Sequence, residues 1–478
     1  MNTLSHPTVG TPSLLGRAGA ASSTYALPQP TTAQRALARA WLALGLAALA
    51  GSGLYSVLLV LARTPGVNQW FPVADFFRVA LVVHVDLSVL VWFAALAGML
   101  WSLNTTERWL GWSWAALGLC ASGTALMALG AFIRPGAAIM ANYIPVLHGP
   151  LFLAGLGVFG LGLGVQVLRS LLAAPRLGGM IDGERALRFG LTASVVCVAV
   201  ALGAFAWSLV DVPTQMDLRT YYEILFWGGG HALQFAWTLL MLVAWLWLAN
   251  ACGGRIFLSP RIALLLLMLA LLSVFVTPYA YVAYSAISVE NRQLHTWAMR
   301  VGGGLAIFPI ALAVVLALAP LRRLRDEHKP LWGALVTSML LFACGGVIGM
   351  LISGSNVKIP AHYHGCIVGV TLALMGIVYH LLPTLGWSAP RGRLAAWQPW
   401  LYGLGQLLHI IGLVWSGGYG VQRKVAGSEQ VLRSTAEVAG MGLMGLGGLL
   451  AVIGGLLFVV VVLRAMRARA PEVPEVPA

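Results

Sequence analysis

Apolar stretches long enough to cross a bilayer recur along almost the whole of this chain, and few folds accommodate that. A bilayer core takes roughly 20 residues of helix, and about twelve stretches meet that length. They lie near 36–62, 74–103, 110–133, 144–170, 188–211, 221–252, 261–288, 296–320, 330–354, 360–384, 397–417 and 438–465. Charged residues are only 9% of the 478, against about 25% in a soluble domain. So little charge cannot clothe a water-soluble protein of this size, which excludes a soluble enzyme, a nucleic-acid-binding protein and a disordered chain. No stretch alternates with period two, which argues against a closed barrel. The expected fold is all-α, a polytopic membrane protein of about twelve transmembrane helices surrounded by lipid.

Residues 1–35, rich in Ser, Thr, Pro and Ala, read as a disordered lead; 36–465 form the membrane domain and 466–478 a short tail. The first apolar stretch is too long for a signal-peptide core. Of the 29 Lys and Arg residues, 19 fall in the N-terminal segment, the even-numbered loops and the C-terminus. Basic loops stay in the cytoplasm, so both ends are expected inside and the net charge of +14 needs no nucleic-acid partner. The five cysteines form no CxxC pair, which supports neither a disulfide framework nor a zinc site.

Histidines carry the chemical signal. Ten are present, and polar side chains at membrane depth are costly and tend to be functional. Under the expected orientation His84, His148, His231, His362 and His364 lie in the outer half of their spans, His295 at the outer edge of span eight, His409 near mid-depth and His380 toward the inside. His362 and His364 open span ten in Pro360-Ala-His-Tyr-His-Gly365. Two residues on a helix are about 200° apart, so the two imidazoles point to opposite sides. They cannot share one ion, but each can ligate a separate haem, of which imidazole is a common axial ligand.

The segment Ile359-Pro-Ala-His-Tyr-His-Gly-Cys-Ile-Val-Gly, running on to Val378-Tyr-His-Leu-Leu-Pro383, resembles helix ten of subunit I of the haem–copper oxidase superfamily, nearest its B-type branch. Twelve spans with both ends inside also match that subunit. The resemblance implies two haems in a bacterial-type inner (plasma) membrane. His84, in Arg78-Val-Ala-Leu-Val-Val-His-Val-Asp-Leu-Ser88, would join His364 on a low-spin haem. His362 would hold a high-spin haem with one open face. Arg423 and Lys424 match the basic pair that meets haem propionates, and an ordinary solvated loop pair reads equally well. His231, in Phe226-Trp-Gly-Gly-Gly-His-Ala-Leu-Gln-Phe235, matches the first copper ligand, and the three glycines allow close approach of a helix or a flat ring.

The pattern also breaks. The family's tyrosine four residues after the helix-six histidine is Phe235 here. Its adjacent His-His pair on helix seven is missing from Thr277–Asn291. One histidine is not enough for copper, which takes about three nitrogen or sulfur ligands, so the ordinary distal copper centre, or a non-haem iron in its place, is expected to be absent or heavily altered. Glu290 with His231 and His295 is one conceivable donor set. For Glu223 and Glu290 a membrane-edge carboxylate is the plainer reading. Asp86 inside span two either orients a haem ligand, relays a proton or bonds a neighbouring helix. His148 and His409 are candidates for hydrogen bonds to a haem, and His380 reads as helix packing. No long inner proton channel is visible in spans six and eight. The resemblance therefore implies a dioxygen-reducing oxidoreductase subunit, with a nitric oxide reductase-like subunit and a non-catalytic haem electron-transfer or gas-sensing protein as alternatives. A partner subunit, a cytochrome c or a quinol would deliver electrons, since the chain has no CxxCH haem-attachment motif.

Overall fold

The computed structural model describes residues 24–61, 76–176, 178–321, 324–352, 356–419 and 434–468. Twelve long helical segments appear in them. The first six are α1 (Thr32–Leu61), α2 (Phe76–Asn104), α3 (Leu110–Gly130), α4 (Pro150–Leu172), α5 (Gly183–Asp211) and α6 (Trp227–Ala251). The others are α7 (Pro260–Ala283), α8 (Val289–Leu318), α9 (Lys329–Met350), α10 (Lys358–Leu381), α11 (Arg393–Gly418) and α12 (Thr435–Arg467). Among the described residues, eleven helices are long and apolar enough to cross a membrane. The exception, α11, matches them in length but carries Gln398, Gln406 and His409. It is held by packing instead.

That packing is a glycine seam. Gly405 and Gly412 on α11 face Gly440, Gly447 and Gly454 on α12, each series seven residues apart. A Cβ at Gly447 would stand 2.6 Å from Gly405 O and closer still to the backbone of His409; one at Gly454 would stand 2.6 Å from Tyr402 Cα. Small residues let helix backbones touch where lipid gives no hydrophobic drive to associate.

Burial picks out the centre. In their most apolar stretches α6, α10 and α2 are 94%, 78% and 72% buried, against 28–44% for the other eight spans. These three carry His231, His362, His364 and His84. The even-numbered helices start, and the odd-numbered ones end, on one side of the bundle, here called the histidine face.

Several boundaries differ from the sequence expectation. The N-terminal lead is not wholly loose: α1 starts at Thr32, and Tyr25 is fully buried with its hydroxyl donating to Leu258 O at 2.9 Å. Residues 1–23 lie outside the described residues. Span four starts at Pro150, not 144, because Ala138–Ile139 and Val146–Leu147 pair as a two-stranded antiparallel ribbon. Proline suits a first helical turn, where its missing N–H costs nothing. Span six divides into a short helix, Leu218–Leu225, and α6, meeting at Phe226. Helix α7 breaks at Phe275 because Pro278 gives Val274 O no N–H. Helix α8 breaks at Gly303 between Gly302 and Gly304. Helix α2 carries a π-helical segment, Asp86–Val91, just after His84; such segments often sit at functional sites.

At the opposite face Arg169 is fully buried at the end of α4. Its guanidinium donates to Arg108 O at 3.2 Å, to Thr105 Oγ1 and to Thr106 O, capping the end of α2. Hydrogen bonds to a charged group are worth about 1.5–3 kcal/mol each, and losing one leaves a buried acceptor unpaired. Arg169→Met is therefore expected to cost on the order of 3 kcal/mol, read as a lower unfolding midpoint in detergent, with Arg169→Lys recovering only part.

Candidate functional site

His84 sits where α2 passes α1. Its Nδ1 is 3.0 Å from each of Ser52 O, Ser52 Oγ and Ser56 Oγ. Ser52 and Ser56 are one helical turn apart, so both hydroxyls reach the same ring. Ser52 Oγ also donates to His84 O at 3.1 Å, which pins the backbone at the start of the π segment.

The two histidines of α10 diverge, as their spacing predicts. Nδ1 of His362 donates to Gly345 O of α9 at 2.7 Å. Nδ1 of His364 donates to Pro360 O at 2.8 Å, and its ring lies 4.9 Å from that of His409 on α11. His84 is close enough to His364 to act on it electrostatically. His409 in turn donates from Nδ1 to Met444 O at 2.9 Å. Among the described residues the Nε2 atoms of His84, His362, His364 and His409 have no hydrogen-bond partner, and all four rings are only half-buried although three stand on central helices. An imidazole whose Nδ1–H is given to a carbonyl presents Nε2 as the acceptor, the arrangement that orients metal-ligating histidines.

Gly349 belongs to this arrangement. A Cβ there would stand 2.6 Å from His362 Nδ1 and 2.8 Å from its Cε1. Gly349→Ala is expected to turn the His362 ring off its bond to Gly345 O and to weaken any ligand on its Nε2 by roughly the 10–100-fold that loss of an outer-shell partner costs. A shift in the absorption of any coloured group that binds at His362 is the reading.

His231 opens α6 in a ring of aromatics. Its Nδ1 donates to Trp227 O at 2.8 Å, and its Nε2 accepts from Tyr143 OH at 3.0 Å. The three preceding glycines explain the fit, since a Cβ at Gly228 would strike Tyr281, at Gly229 Phe205 and at Gly230 Tyr143. The expected close approach is thus made by three flat side chains. Tyr143 comes from the loop between α3 and α4, and burial, with the Glu223 carboxylate adding to it, raises its phenol above the ordinary value. The phenol keeps its proton at neutral pH and is the donor. His295, expected at a membrane edge, is instead buried one and a half turns into α8, because that helix starts at Val289. Its Nδ1 donates to Asn291 O at 2.8 Å, its Nε2 is buried without a partner, and its ring lies 5.6 Å from His231 and 5.8 Å from Tyr281.

The other candidates lie apart. Glu290 is exposed in the first turn of α8. Glu223 accepts from Asn142 N at 3.1 Å and from Asn142 Nδ2. His148 is exposed after the ribbon, its Nδ1 2.8 Å from Tyr222 OH. His380 packs 5.6 Å from Trp247 at the far end of α10. Asp86 is buried at the start of the π segment with Oδ2 unpartnered. Arg423 and Lys424 lie outside the described residues. Tyr143, Ser52, Ser56 and Gly349 gave no sequence signal of their own; only their neighbours in space reveal them.

The donor chemistry separates into two parts. Three imidazoles on α2 and α10, with Nδ1 anchored and Nε2 free, suit axial ligation of planar iron groups. The usual three-histidine copper set is not assembled: α7 contributes no histidine, and among the described residues no three or more His, Cys, Asp or Glu residues are grouped to hold an ion.

Comparison with known proteins gives the same direction. The family model of the cytochrome c and quinol oxidase polypeptide I matches residues 36–457. An uncharacterized protein of Rickettsia prowazekii is 28% identical over 85% of this chain and 92% of its own. An uncharacterized protein of Aquifex aeolicus is 27% identical over 75% of this chain and 88% of its own. Cytochrome c oxidase subunit 1 of Thermus thermophilus is 26% identical over 67% of this chain and 62% of its own. A heme–copper terminal oxidase dimer solved by cryo-electron microscopy shares the fold at a TM-score of 0.71 and 17% identity, over 94% of this chain and 86% of that one.

Proposed function

Because the chain belongs to the cytochrome c and quinol oxidase polypeptide I family of the haem–copper oxidase superfamily, we propose that it is a membrane oxidoreductase subunit that passes electrons from a low-spin haem to a high-spin haem, where dioxygen is reduced. One observation carries the reading: His362 and His364 leave α10 toward different helices, each with Nδ1 on a carbonyl and Nε2 free, and His84 lies within electrostatic reach of His364. His84 and His364 would hold the low-spin haem and His362 the high-spin one. Bound there, the haems would supply one-electron transfer and an iron with an open face for a gas.

The chain's own part is orientation and exclusion of water. Ser52 and Ser56 fix the His84 ring, Pro360 O fixes His364 and Gly345 O fixes His362. Helix α6 packs a largely apolar surface below His231, interrupted between His231 and Asn250 by Gln234, whose Oε1 is buried, and by buried Thr238. That surface keeps bulk water from the opposite face away, so protons would enter from the histidine face, where Glu223 and Asn142 sit. We place that face outside and both termini in the cytoplasm, because Arg169, Arg188, Arg325, Lys329, Arg464 and Arg467 gather at the other.

Nitric oxide reduction on the same architecture is the second reading, favoured by Phe235, which leaves α6 without a phenol at that position. Electrons would come from a partner subunit, a cytochrome c or a quinol. The test is a haem count and reduced-minus-oxidised spectrum of the purified chain with oxygen and nitric oxide electrodes. Two haems per chain and oxygen consumption are expected. Nitric oxide consumption alone selects the second reading, two haems with neither activity reduces the protein to electron transfer or sensing, and a colourless protein ends the proposal.

A further inference from the structure

We propose that His409 is a positioning residue of the His84–His364 haem site: from α11 it sets the plane of the His364 imidazole, and with it the electronic state of the iron that imidazole would ligate. This rests on the haem reading above and assigns a residue outside the three axial ligands.

A histidine ring rocks easily, because the torsion of a flat ring on a tetrahedral carbon is broad. His364 is held at one point, by Nδ1 on Pro360 O of its own helix at 2.8 Å. That bond fixes the tautomer that offers Nε2 and leaves the plane of the ring soft. The plane is then set by the rings packed on it. Two are in contact: Tyr363, 5.0 Å away and 26° from parallel, and His409, 4.9 Å away at 47°. Tyr363 is exposed and belongs to the same turn of α10, so of the two only His409 ties the ring to another helix. His409 also acts on His364 electrostatically, ahead of His84.

His409 is itself fixed. Its Nδ1 donates to Met444 O of α12 at 2.9 Å. Two glycines make the room: a Cβ at Gly447 would run into the His409 backbone, and one at Gly448 would stand 3.3 Å from His409 Nδ1. With the Nδ1 side on α12, the opposite edge of the ring, Nε2–Cδ2, turns back toward α10 and His364. Both Nε2 atoms are acceptors, since each Nδ1 carries the proton given to a carbonyl. The pair therefore cannot bond directly, and the contact is ring against ring.

A polar ring inside a span is costly, and α11 already lacks the apolar content of the other eleven. Packing alone would be served by Phe or Leu. An imidazole gives what those do not, a ring locked in its plane by a hydrogen bond to a third helix. Outer-shell groups of this kind orient ligating imidazoles and tune the metal they hold.

The experiment uses the full chain with its haems. The low-spin ferric haem is read by electron paramagnetic resonance, whose g-values follow the planes of the axial imidazoles, and by redox titration of its visible bands. His409→Ala, and His409→Gln, which keeps a donor for Met444 O but no ring, should both shift the g-values. At a fixed poise both should change the ferrous-to-ferric ratio of that haem by about tenfold, the lower end of an outer-shell loss. His409→Phe keeps a ring without its anchor and should broaden the lines about their wild-type positions. The haem count and the carbon monoxide difference spectrum of the His362 haem should be unchanged in all three. Gly440→Ala, whose Cβ would meet Ser416 Oγ at 2.5 Å, disturbs the same seam without touching His409 and should keep the wild-type g-values. A His409→Gln spectrum identical to wild type would mean that the bond between helices is all His409 supplies, and overturns the proposal. So does a Gly440→Ala shift equal to that of His409→Ala. A low-spin haem whose g-values ignore all three His409 substitutions overturns this proposal alone, whereas a wild-type chain with no six-coordinate low-spin haem ends the reading above and this one with it.

Discussion

His364→Ala is expected to remove the six-coordinate low-spin haem and to leave the carbon monoxide-reactive haem on His362 in place, while His362→Ala does the reverse. The expectation follows from geometry: the two rings diverge, are anchored by different carbonyls and belong to different helix contacts. Removing an axial ligand should cost electron transfer more than the roughly 10–100-fold that loss of an outer-shell partner costs. His84→Ala should reproduce the His364→Ala spectrum, since the two are assigned to one iron. The His409 ring stands 4.9 Å from His364 with its own Nδ1 held by Met444 O. His364→Ala/His409→Ala therefore guards against a substitute ligand. Reduced-minus-oxidised and carbon monoxide difference spectra decide the matter. Loss of both haems on either single substitution would mean that α10 does not stand between two macrocycles.

Gly447→Leu should damage the fold severely. A Cβ there meets the backbone of His409 and, at 2.6 Å, Gly405 O, and neither can yield as a side chain end would. Overpacking usually costs about 1–3 kcal/mol when side chains can shift; with only backbone to move the cost should exceed about 3 kcal/mol. Helix α11 has the weakest apolar claim to cross a membrane and depends on this seam. Gly445→Leu, where nothing lies within 4 Å, is the control and should fold normally. Melting in detergent and limited proteolysis of the α11–α12 connection should separate the two. Equal behaviour of both variants would show that the seam contributes little.

Helix periodicity and length carried the bundle because each span must satisfy its own backbone hydrogen bonds, a demand met within one stretch of chain. The divergence of His362 and His364 was readable for the same reason: their angular separation is a property of one helix. Structure and sequence expectation part where the cause lies beyond one helix. Hydropathy puts His295 at an edge because the polar start of α8, Val289-Glu-Asn-Arg-Gln-Leu-His295, has the composition of a loop. Residues 144–149 looked like helix because a short buried ribbon is as apolar as a span.

The sequence by itself determined an α-helical membrane protein of about twelve spans and the histidines of α2, α6 and α10, since hydropathy and helical angle are local quantities. Only the tertiary structure decided that Tyr143 caps His231, that His295 comes to lie beside it and that Ser52 and Ser56 hold His84. Those contacts join residues 28–88 positions apart, such as Ser56 with His84 and Tyr143 with His231. Glycine clearances, a π segment and two helix breaks set them, and none of these can be priced until the neighbouring helix is in place.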